Sequence, residues 1–167
     1  TPEGETVALE IIRHHRLLET FLTEQLGYDW AEVHEEAEVL EHHISEEFER
    51  RVAAVLDEPE FDPHGDPIPS DSLDPIDDES ATALSEHGEG GRLEVARVRD
   101  RDPDELTYLS DAGITPGTVL TVEEVAPIGM VTVQLESGAS VSLPDHIADA
   151  IQVRAPDTQS EDGVSQV

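Results

Sequence analysis

The spacing of the hydrophobic residues changes once along this chain, from a helical period to a period of two. From about Glu5 to Leu56 the apolar residues recur every three or four positions, as on one face of a helix. From Arg92 to Arg154 they alternate with polar residues, in short runs separated by Gly and Pro. The stretch between is too rich in Pro, Gly and acidic residues for either pattern. The pattern therefore predicts an α+β fold, with helices first and strands second.

The first segment is predicted to form three helices. Gly27 and Tyr28 end the first, and Asp29 with Glu32 makes a capping-box pattern at the start of the second, which is predicted to continue to Ile44. Ser45 is the predicted N-cap of the third helix. Acidic residues follow it in the first turn, where the helix dipole favours negative charge.

Four strands are predicted in the second segment, around Val95, Val122, Val133 and Val141, and the first of them needs a slip of register. A short helix is predicted from Glu105 to Ala112. Small strands with Gly and Pro turns in about 60 residues indicate a compact β-barrel. The predicted boundaries are 1–69 for a helical domain, 70–91 for an acidic linker, 92–154 for the barrel and 155–167 for a disordered tail.

The charge of the chain limits its partners. It has 40 acidic residues against nine basic ones, and the formal net charge is −31. Because affinity for nucleic acid comes mainly from basic side chains, the chain by itself is expected not to bind DNA. Acidic residues in nearly every segment and the absence of Lys suggest a halophile, with an ordinary acidic protein as the alternative. With no Cys and no long apolar run, the sequence fits the cytoplasm.

Imidazoles and carboxylates recur at helical spacing in the first two predicted helices. The positions that share a helical face are His15 and Glu19 in the first helix, and His34, Glu38, Glu41 and His42 in the second. Two antiparallel helices would bring these faces together as a ligand set suited to divalent Mn, Fe, Co, Ni or Zn. Glu at helical spacing is also common on solvated faces of acidic proteins, so the pattern alone leaves both interpretations open.

The remaining histidines are not predicted ligands. His14 and His43 point differently around their helices from the neighbouring candidates. His64, His87 and His146 lie in predicted loop, linker and turn, and they are expected to be structural or exposed.

The motifs RHHRLLE (13–19), VHEEAE (33–38), LEH (40–42) and DPHG (62–65) together resemble the second domain of the diphtheria-toxin-repressor family. More loosely, DAG (111–113) and VSLP (141–144) resemble the third, SH3-like domain of that family. The resemblance covers about 1–69 with specific motifs and 92–154 with weaker ones. It implies a helical metal-binding and dimerisation domain followed by an SH3-like β-barrel.

The resemblance also implies a function for the whole family. Members are homodimeric, metal-dependent transcriptional repressors of metal-uptake genes and not enzymes. They bind operator DNA through an N-terminal winged helix, which is expected to be absent from this chain. Apolar residues such as Leu40, Ile44 and Val52 are expected at the dimer contact.

The resemblance also implies two metal sites. His15, Glu19 and His34 match ligands of the ancillary site, whereas Glu38, Glu41 and His42 match ligands of the primary, activating site. The primary site takes a further ligand from the N-terminal domain. Glu38 stands where the iron-responsive branch has Cys, and a hard carboxylate favours Mn²⁺, so Mn²⁺ is placed narrowly ahead of Fe²⁺.

Two other classes of function remain as alternatives. One is a metal-dependent hydrolase with Glu41 or Glu38 as its general base, which would need an open coordination position and a substrate cleft. The other is a metal-storage helical bundle. Bundles of that kind use Glu-x-x-His, a pattern that this sequence does not contain.

Overall fold

The computed structural model of the protein describes residues 1–73 and 80–156. These residues fall into two compact units, one within Thr1–Asp78 and Arg101–Ser110, the other within Glu79–Asp100 and Asp111–Val167. The first unit is helical and the second is built on an antiparallel sheet, so the predicted α+β class is confirmed. Most of the predicted disordered tail, from residue 157 onward, lies outside the described residues.

The first unit contains three consecutive helices, α1 (Pro2–Leu26), α2 (Val33–Leu40) and α3 (Glu46–Val55), and most of α4 (Pro103–Ala112). As predicted, α1 ends at Gly27. This residue has φ 72°, a left-handed conformation that glycine adopts without steric cost. The predicted cap of α3 is also confirmed, since the backbone N–H of Phe48 donates to Ser45 Oγ at 3.1 Å.

Helix α2 is shorter than the sequence predicts. Asp29 Oδ1 accepts from the N–H of Ala31 at 2.7 Å, so the side chain makes a local turn instead of capping a helix. Residues 30–32 continue that turn, and α2 begins only at Val33. It ends at Leu40, because residues 41–43 turn the chain towards the cap at Ser45, and the predicted extension to Ile44 is therefore wrong.

Helix α1 packs against both α2 and α3. The core between α1 and α3 is formed by Leu17, Val52, Ala53 and Ile68, with Phe21 and Leu56 packed against it. Val52 is only 5 % exposed there, so its predicted place at a dimer contact is wrong. Phe48 and Val55, on an adjacent face of α3, are exposed.

A tight loop at residues 62–66 closes the helical unit. The Asp62 Oδ1 atom accepts from the backbone N–H groups of His64 and Asp66, both at 2.9 Å. The N–H of Asp62 in turn donates to the carbonyl of Asp66 at 2.8 Å, and Gly65 supplies the positive φ of 87° that the turn requires. These bonds use one oxygen of the Asp62 carboxylate and leave the other oxygen, Oδ2, without a hydrogen bond.

The second unit is one six-stranded antiparallel sheet with strand order β1-β6-β2-β3-β4-β5. Its strands are β1 (Thr82–Ala83), β2 (Arg92–Val98), β3 (Val119–Ala126), β4 (Met130–Leu135), β5 (Ser140–Pro144) and β6 (Ile151–Arg154). The predicted slip in the first long strand is confirmed, because the pairing of β2 with β6 shifts between Val95 and Arg97. Side chains of alternating strand residues, including Val95, Val133 and Val153, form the buried face.

Four elements of this unit were not predicted. They are β1, a 3-10 helix at Leu84–Glu86, the helix α5 (Asp145–Ala150) and β6, and all are too short for a periodic pattern to mark. The segment expected to be a linker from 70 to 91 is structured from Thr82 onward. There β1 pairs with β6, and the 3-10 helix buries Leu84 completely.

Within residues 1–73 and 80–156, no helix has the length and the apolar character needed to span a membrane.

Candidate metal centre

Three of the predicted ligands meet between α1 and α2. His15 Nε2 contacts Glu19 Oε1 on the next turn of α1. His34 Nδ1, on α2, lies 3.0 Å from His15 Nε2 and 3.3 Å from Glu19 Oε1. One ligand atom from each residue is therefore within reach of a single ion, as the helical spacing predicted.

The other three predicted ligands border this group. Glu41 Oε2 lies 2.5 Å from His15 Nδ1, and Glu41 Oε1 lies 3.2 Å from His42 Nε2. Glu38 is more remote, with Oε1 at 3.7 Å from His34 Nε2. Glu38 and His42 are mostly exposed, and they do not join any three-residue ligand group in the described parts of the chain. Glu41 connects the two predicted sets through His15.

A second group contains two residues that the sequence analysis did not select. Glu19, Asp62 and His64 each offer a ligand atom to one point, and all three are buried. His64, expected to be structural or exposed, is completely buried, with Nδ1 at 2.8 Å from Glu19 Oε2. The signal was present in the DPHG motif, where Asp62 and His64 flank a proline. Only the closure of the 62–66 loop shows that both side chains reach Glu19.

Trp30 holds His64 in place. Its backbone carbonyl accepts from His64 Nε2 at 2.8 Å, and its indole N–H donates to the carbonyl of Pro63 at 2.6 Å. The two rings also pack together, with centroids 4.9 Å apart. The orientation of the His64 ring is therefore set by the turn that joins α1 to α2.

Burial and ion pairing shift the ionisation of this cluster. Burial alone would raise the pKa of Glu19, but the imidazoles of His15, His34 and His64 beside it hold that pKa well below its usual range. Burial would likewise lower the pKa values of His15 and His64, yet contact with Glu19 raises both. Asp62 behaves oppositely, because burial and the charges of Asp66 and Glu19 raise its pKa to about 7.

The donor atoms fit a divalent cation. Glu19 Oε2, Asp62 Oδ2 and His64 Nδ1 are buried, and none has a hydrogen-bond partner within the described residues. Buried polar atoms without partners are costly, which makes three of them at one point informative. Nitrogen and carboxylate oxygen together are the ligands that Mn²⁺, Fe²⁺ and Zn²⁺ accept.

His14 is separate from this cluster, as predicted. Its Nε2 pairs with Glu49 Oε2 at 2.7 Å, and its Nδ1 lies 3.3 Å from the backbone carbonyl of Glu41. Arg13 contacts the other oxygen of Glu49 and donates to the carbonyl of Pro69 at 2.8 Å. These contacts join α1 to α3 and the following loop.

The fold and this cluster together define a helical metal-binding domain joined to a small β-domain. Comparison with protein families agrees. Residues 1–70 match the model described as "Iron dependent repressor, metal binding and dimerisation domain", and residues 82–155 match the FeoA domain.

Three similar proteins extend the comparison over the chain. The iron-dependent repressor IdeR of Mycobacterium tuberculosis is 37 % identical over 165 residues, covering 92 % of this chain and 71 % of the relative. The diphtheria toxin repressor of Corynebacterium efficiens is 36 % identical, covering 94 % and 71 %. A solved manganese-dependent transcriptional repressor in complex with manganese is 42 % identical, with a TM-score of 0.88, covering 93 % and 73 %.

The chain therefore belongs to the diphtheria-toxin-repressor family of metal-dependent repressors. Its two parts are the metal-binding and dimerisation domain of that family and an SH3-like FeoA domain.

Proposed function

We propose that this protein is the metal-sensing and dimerising part of a Mn²⁺- or Fe²⁺-dependent transcriptional repressor of metal-uptake genes. The observation that carries the proposal is the cluster in which the buried Glu19 carboxylate meets His15, His34 and His64. The names of the relatives, iron-dependent and manganese-dependent repressors, support the same function. A repressor acts on DNA, so the proposal places the protein in the cytoplasm.

The proposed ligands are those that the sequence selected, together with the two that the structure adds. His15, Glu19 and His34 form the ancillary set, and Asp62 and His64 extend it through Glu19. Glu38, Glu41 and His42 are proposed for the primary site, where Glu38 and His42 are accessible to solvent and to a further ligand. When bound, a divalent cation supplies positive charge that holds these carboxylates together.

The hardness of the proposed ligand atoms indicates which metal ions the site prefers. Every proposed ligand atom is a carboxylate oxygen or an imidazole nitrogen, and the chain has no Cys to supply a thiolate. Such a set favours Mn²⁺ over softer ions, with Fe²⁺ next. The names of the three reported relatives support a sensor over the hydrolase and the storage bundle, because all three are called repressors.

Operator binding is proposed to occur through a winged helix outside these 167 residues. The chain has nine Arg against 40 acidic residues, which opposes contact with phosphates. If metal raises DNA affinity, linkage requires operator DNA to raise metal affinity by the same factor. We expect Mn²⁺ titration of the protein carrying its winged helix to show tighter binding with operator than without. Equal affinities in the two titrations would contradict the repressor mechanism.

Dimerisation is proposed to use the exposed face of α3. Phe48 and Val55 are 44 % and 60 % exposed, and they lie seven residues apart, on the same face of the helix. The family model describes this domain as a dimerisation domain, so a second copy is the proposed occupant of that apolar face.

Light scattering in molar salt is expected to give about twice the 18.2 kDa chain mass. High salt is needed because 31 net negative charges on each chain repel the partner at low ionic strength. Phe48→Asp should lower the mass to that of one chain. Ile128→Asp, at an 86 % exposed position in the second unit, is the matched control and should leave the mass unchanged. A monomer for the unsubstituted protein at micromolar concentrations would contradict this proposal.

A further inference from the structure

Glu49 is a carboxylate of α3 that joins this helix to α1. Its Oε1 atom contacts Arg13 Nε, and its Oε2 atom lies at an ion-pair distance of 2.7 Å from His14 Nε2. The side chain is only 13 % exposed, although Glu49 directly follows the exposed Phe48 in the chain. Because both oxygens have a partner on α1, Glu49 sets the rotation of α3 and therefore the direction of its exposed apolar face.

The His14 ring connects Glu49 to the turn that joins α2 to α3. Its other nitrogen, Nδ1, lies 3.3 Å from the backbone carbonyl of Glu41, in the 41–43 turn. A carbonyl can only accept, so Nδ1 is the donor. His14 is 8 % exposed and its ring is rigid, so a shift of the Glu41 backbone is transmitted to the nitrogen that faces Glu49.

The side chain of Glu41 reaches the candidate metal centre. Its Oε2 atom lies 2.5 Å from His15 Nδ1, and its Oε1 atom lies 3.2 Å from His42 Nε2. The carboxylate of Glu41 is thus a proposed ligand of the primary site, while its carbonyl is the partner of His14. When the carboxylate holds an ion, the backbone of Glu41 is restrained, and the contacts of His14 and Glu49 lead from there to α3.

We propose that Glu49 is a positioning residue, which couples metal binding at Glu41 to the apolar face of α3 that is assigned to a second copy. This inference rests on the proposed function and adds to it a regulation of the dimer. The contacts of Glu41, His14 and Glu49 hold α3 in the orientation that a second copy recognises. Linkage then requires the dimer to bind Mn²⁺ more tightly than the monomer, by the same factor by which Mn²⁺ favours the dimer.

Calorimetric titration of a dimer and of a matched monomer measures this coupling factor, the ratio of their two Mn²⁺ affinities. Val55→Asp places a charge on the apolar face, six residues beyond Glu49, and light scattering in molar salt is expected to give the mass of one chain. In the same salt, we expect the Val55→Asp monomer to bind Mn²⁺ about 5- to 150-fold more weakly than the unsubstituted dimer, the usual range for two coupled sites.

Glu49→Gln is expected to abolish the difference, so that its dimer and its Val55→Asp monomer bind Mn²⁺ with equal affinity. Glutamine has one acceptor oxygen, which cannot accept from both Arg13 and His14 in the way that two carboxylate oxygens do. The comparison is made at protein concentrations at which light scattering shows Glu49→Gln to be a dimer.

His14→Leu is a second variant, in case Glu49→Gln does not fold. Leucine fills a similar space but donates to neither Glu41 nor Glu49, so the same loss of coupling is expected. Because the two substitutions interrupt one path, combining them should change the coupling factor no further.

Glu46→Gln is the matched control. It removes the same charge from the first turn of α3, at an exposed position, and should leave the coupling factor unchanged. A purely structural role for Glu49 would weaken Mn²⁺ binding in the dimer and the monomer alike, and would leave their ratio as it is in the unsubstituted protein.

The outcomes separate this coupling from the metal-sensing function. Equal Mn²⁺ affinities for the unsubstituted dimer and the Val55→Asp monomer would overturn the coupling and leave the metal sensor standing. So would a full coupling factor in Glu49→Gln and His14→Leu, or a Val55→Asp protein that stays dimeric. No Mn²⁺ binding at all would overturn the proposed function as well.

Discussion

Glu19→Gln is expected to remove most of the increase in melting temperature that Mn²⁺ produces in the unsubstituted protein. A ligand present at 100 times its dissociation constant stabilises a folded protein by about 2.7 kcal/mol. Glu19 belongs to both groups of ligands that meet between α1, α2 and the 62–66 loop, so its loss should remove most of this stabilisation, leaving only what the proposed primary site contributes. Thermal unfolding of both proteins, with and without Mn²⁺, measures the effect.

The metal-free variant is also expected to be less stable. Glu19 partners three imidazoles, and His64 and Glu19 are both fully buried. Removing one partner from a buried ion pair leaves the other uncompensated, which costs about 3 kcal/mol. The loss should be largest near pH 6, where contact with Glu19 keeps His15 and His64 protonated by raising their pKa values.

Glu24→Gln is the matched control. It removes the same charge from α1, at an exposed position one turn beyond the cluster. We expect it to change neither the metal-free stability nor the effect of Mn²⁺ by more than about 0.5 kcal/mol. Undiminished protection by Mn²⁺ in Glu19→Gln would show that the stabilising ions bind elsewhere.

Periodicity predicted the elements that are long enough to carry a period. The end of α1 at Gly27 and the cap of α3 at Ser45 were predicted because one residue determines each boundary. The two-residue strand β1 and the four-residue strand β6 were missed, since neither contains a full repeat. Their pairing becomes visible only when the sheet is assembled.

The residues of the candidate site also fall into those that the sequence predicted and those that it did not. Helical spacing predicted that the faces carrying His15, Glu19 and His34 would meet, and the family resemblance implied that these three residues form one ligand set. Asp62 and His64 lie in a loop without periodicity. Their contribution depends on the hydrogen bonds that close residues 62–66 and on Trp30 from another turn.

The prediction that Val52 lies at a dimer contact was wrong because helical spacing alone is ambiguous. An apolar residue at helical spacing can face either the core of its own chain or a partner, and the sequence does not distinguish the two. Packing against Leu17 and Ile68 places Val52 inside. Phe48 and Val55 remain outside, on the face that we assign to a second copy.

We propose that the histidines beside Glu19 bind the metal, in a chain whose 40 acidic residues can attract cations anywhere on its surface. Proton release distinguishes the two kinds of binding. Metal requires neutral imidazole, and the pKa values of His15 and His64 are raised above 6.5, while that of Asp62 is about 7. Exposed carboxylates are already ionised near neutral pH and release no protons.

Calorimetric titration with Mn²⁺ in buffers of different ionisation enthalpy measures the protons released for each ion bound. We expect release of protons at pH 6.5, a smaller release at pH 8 where fewer of these groups are protonated, and weaker Mn²⁺ binding as the pH falls. Binding that releases no protons at pH 6.5, with an affinity independent of pH between 6 and 8, would contradict metal binding at these histidines.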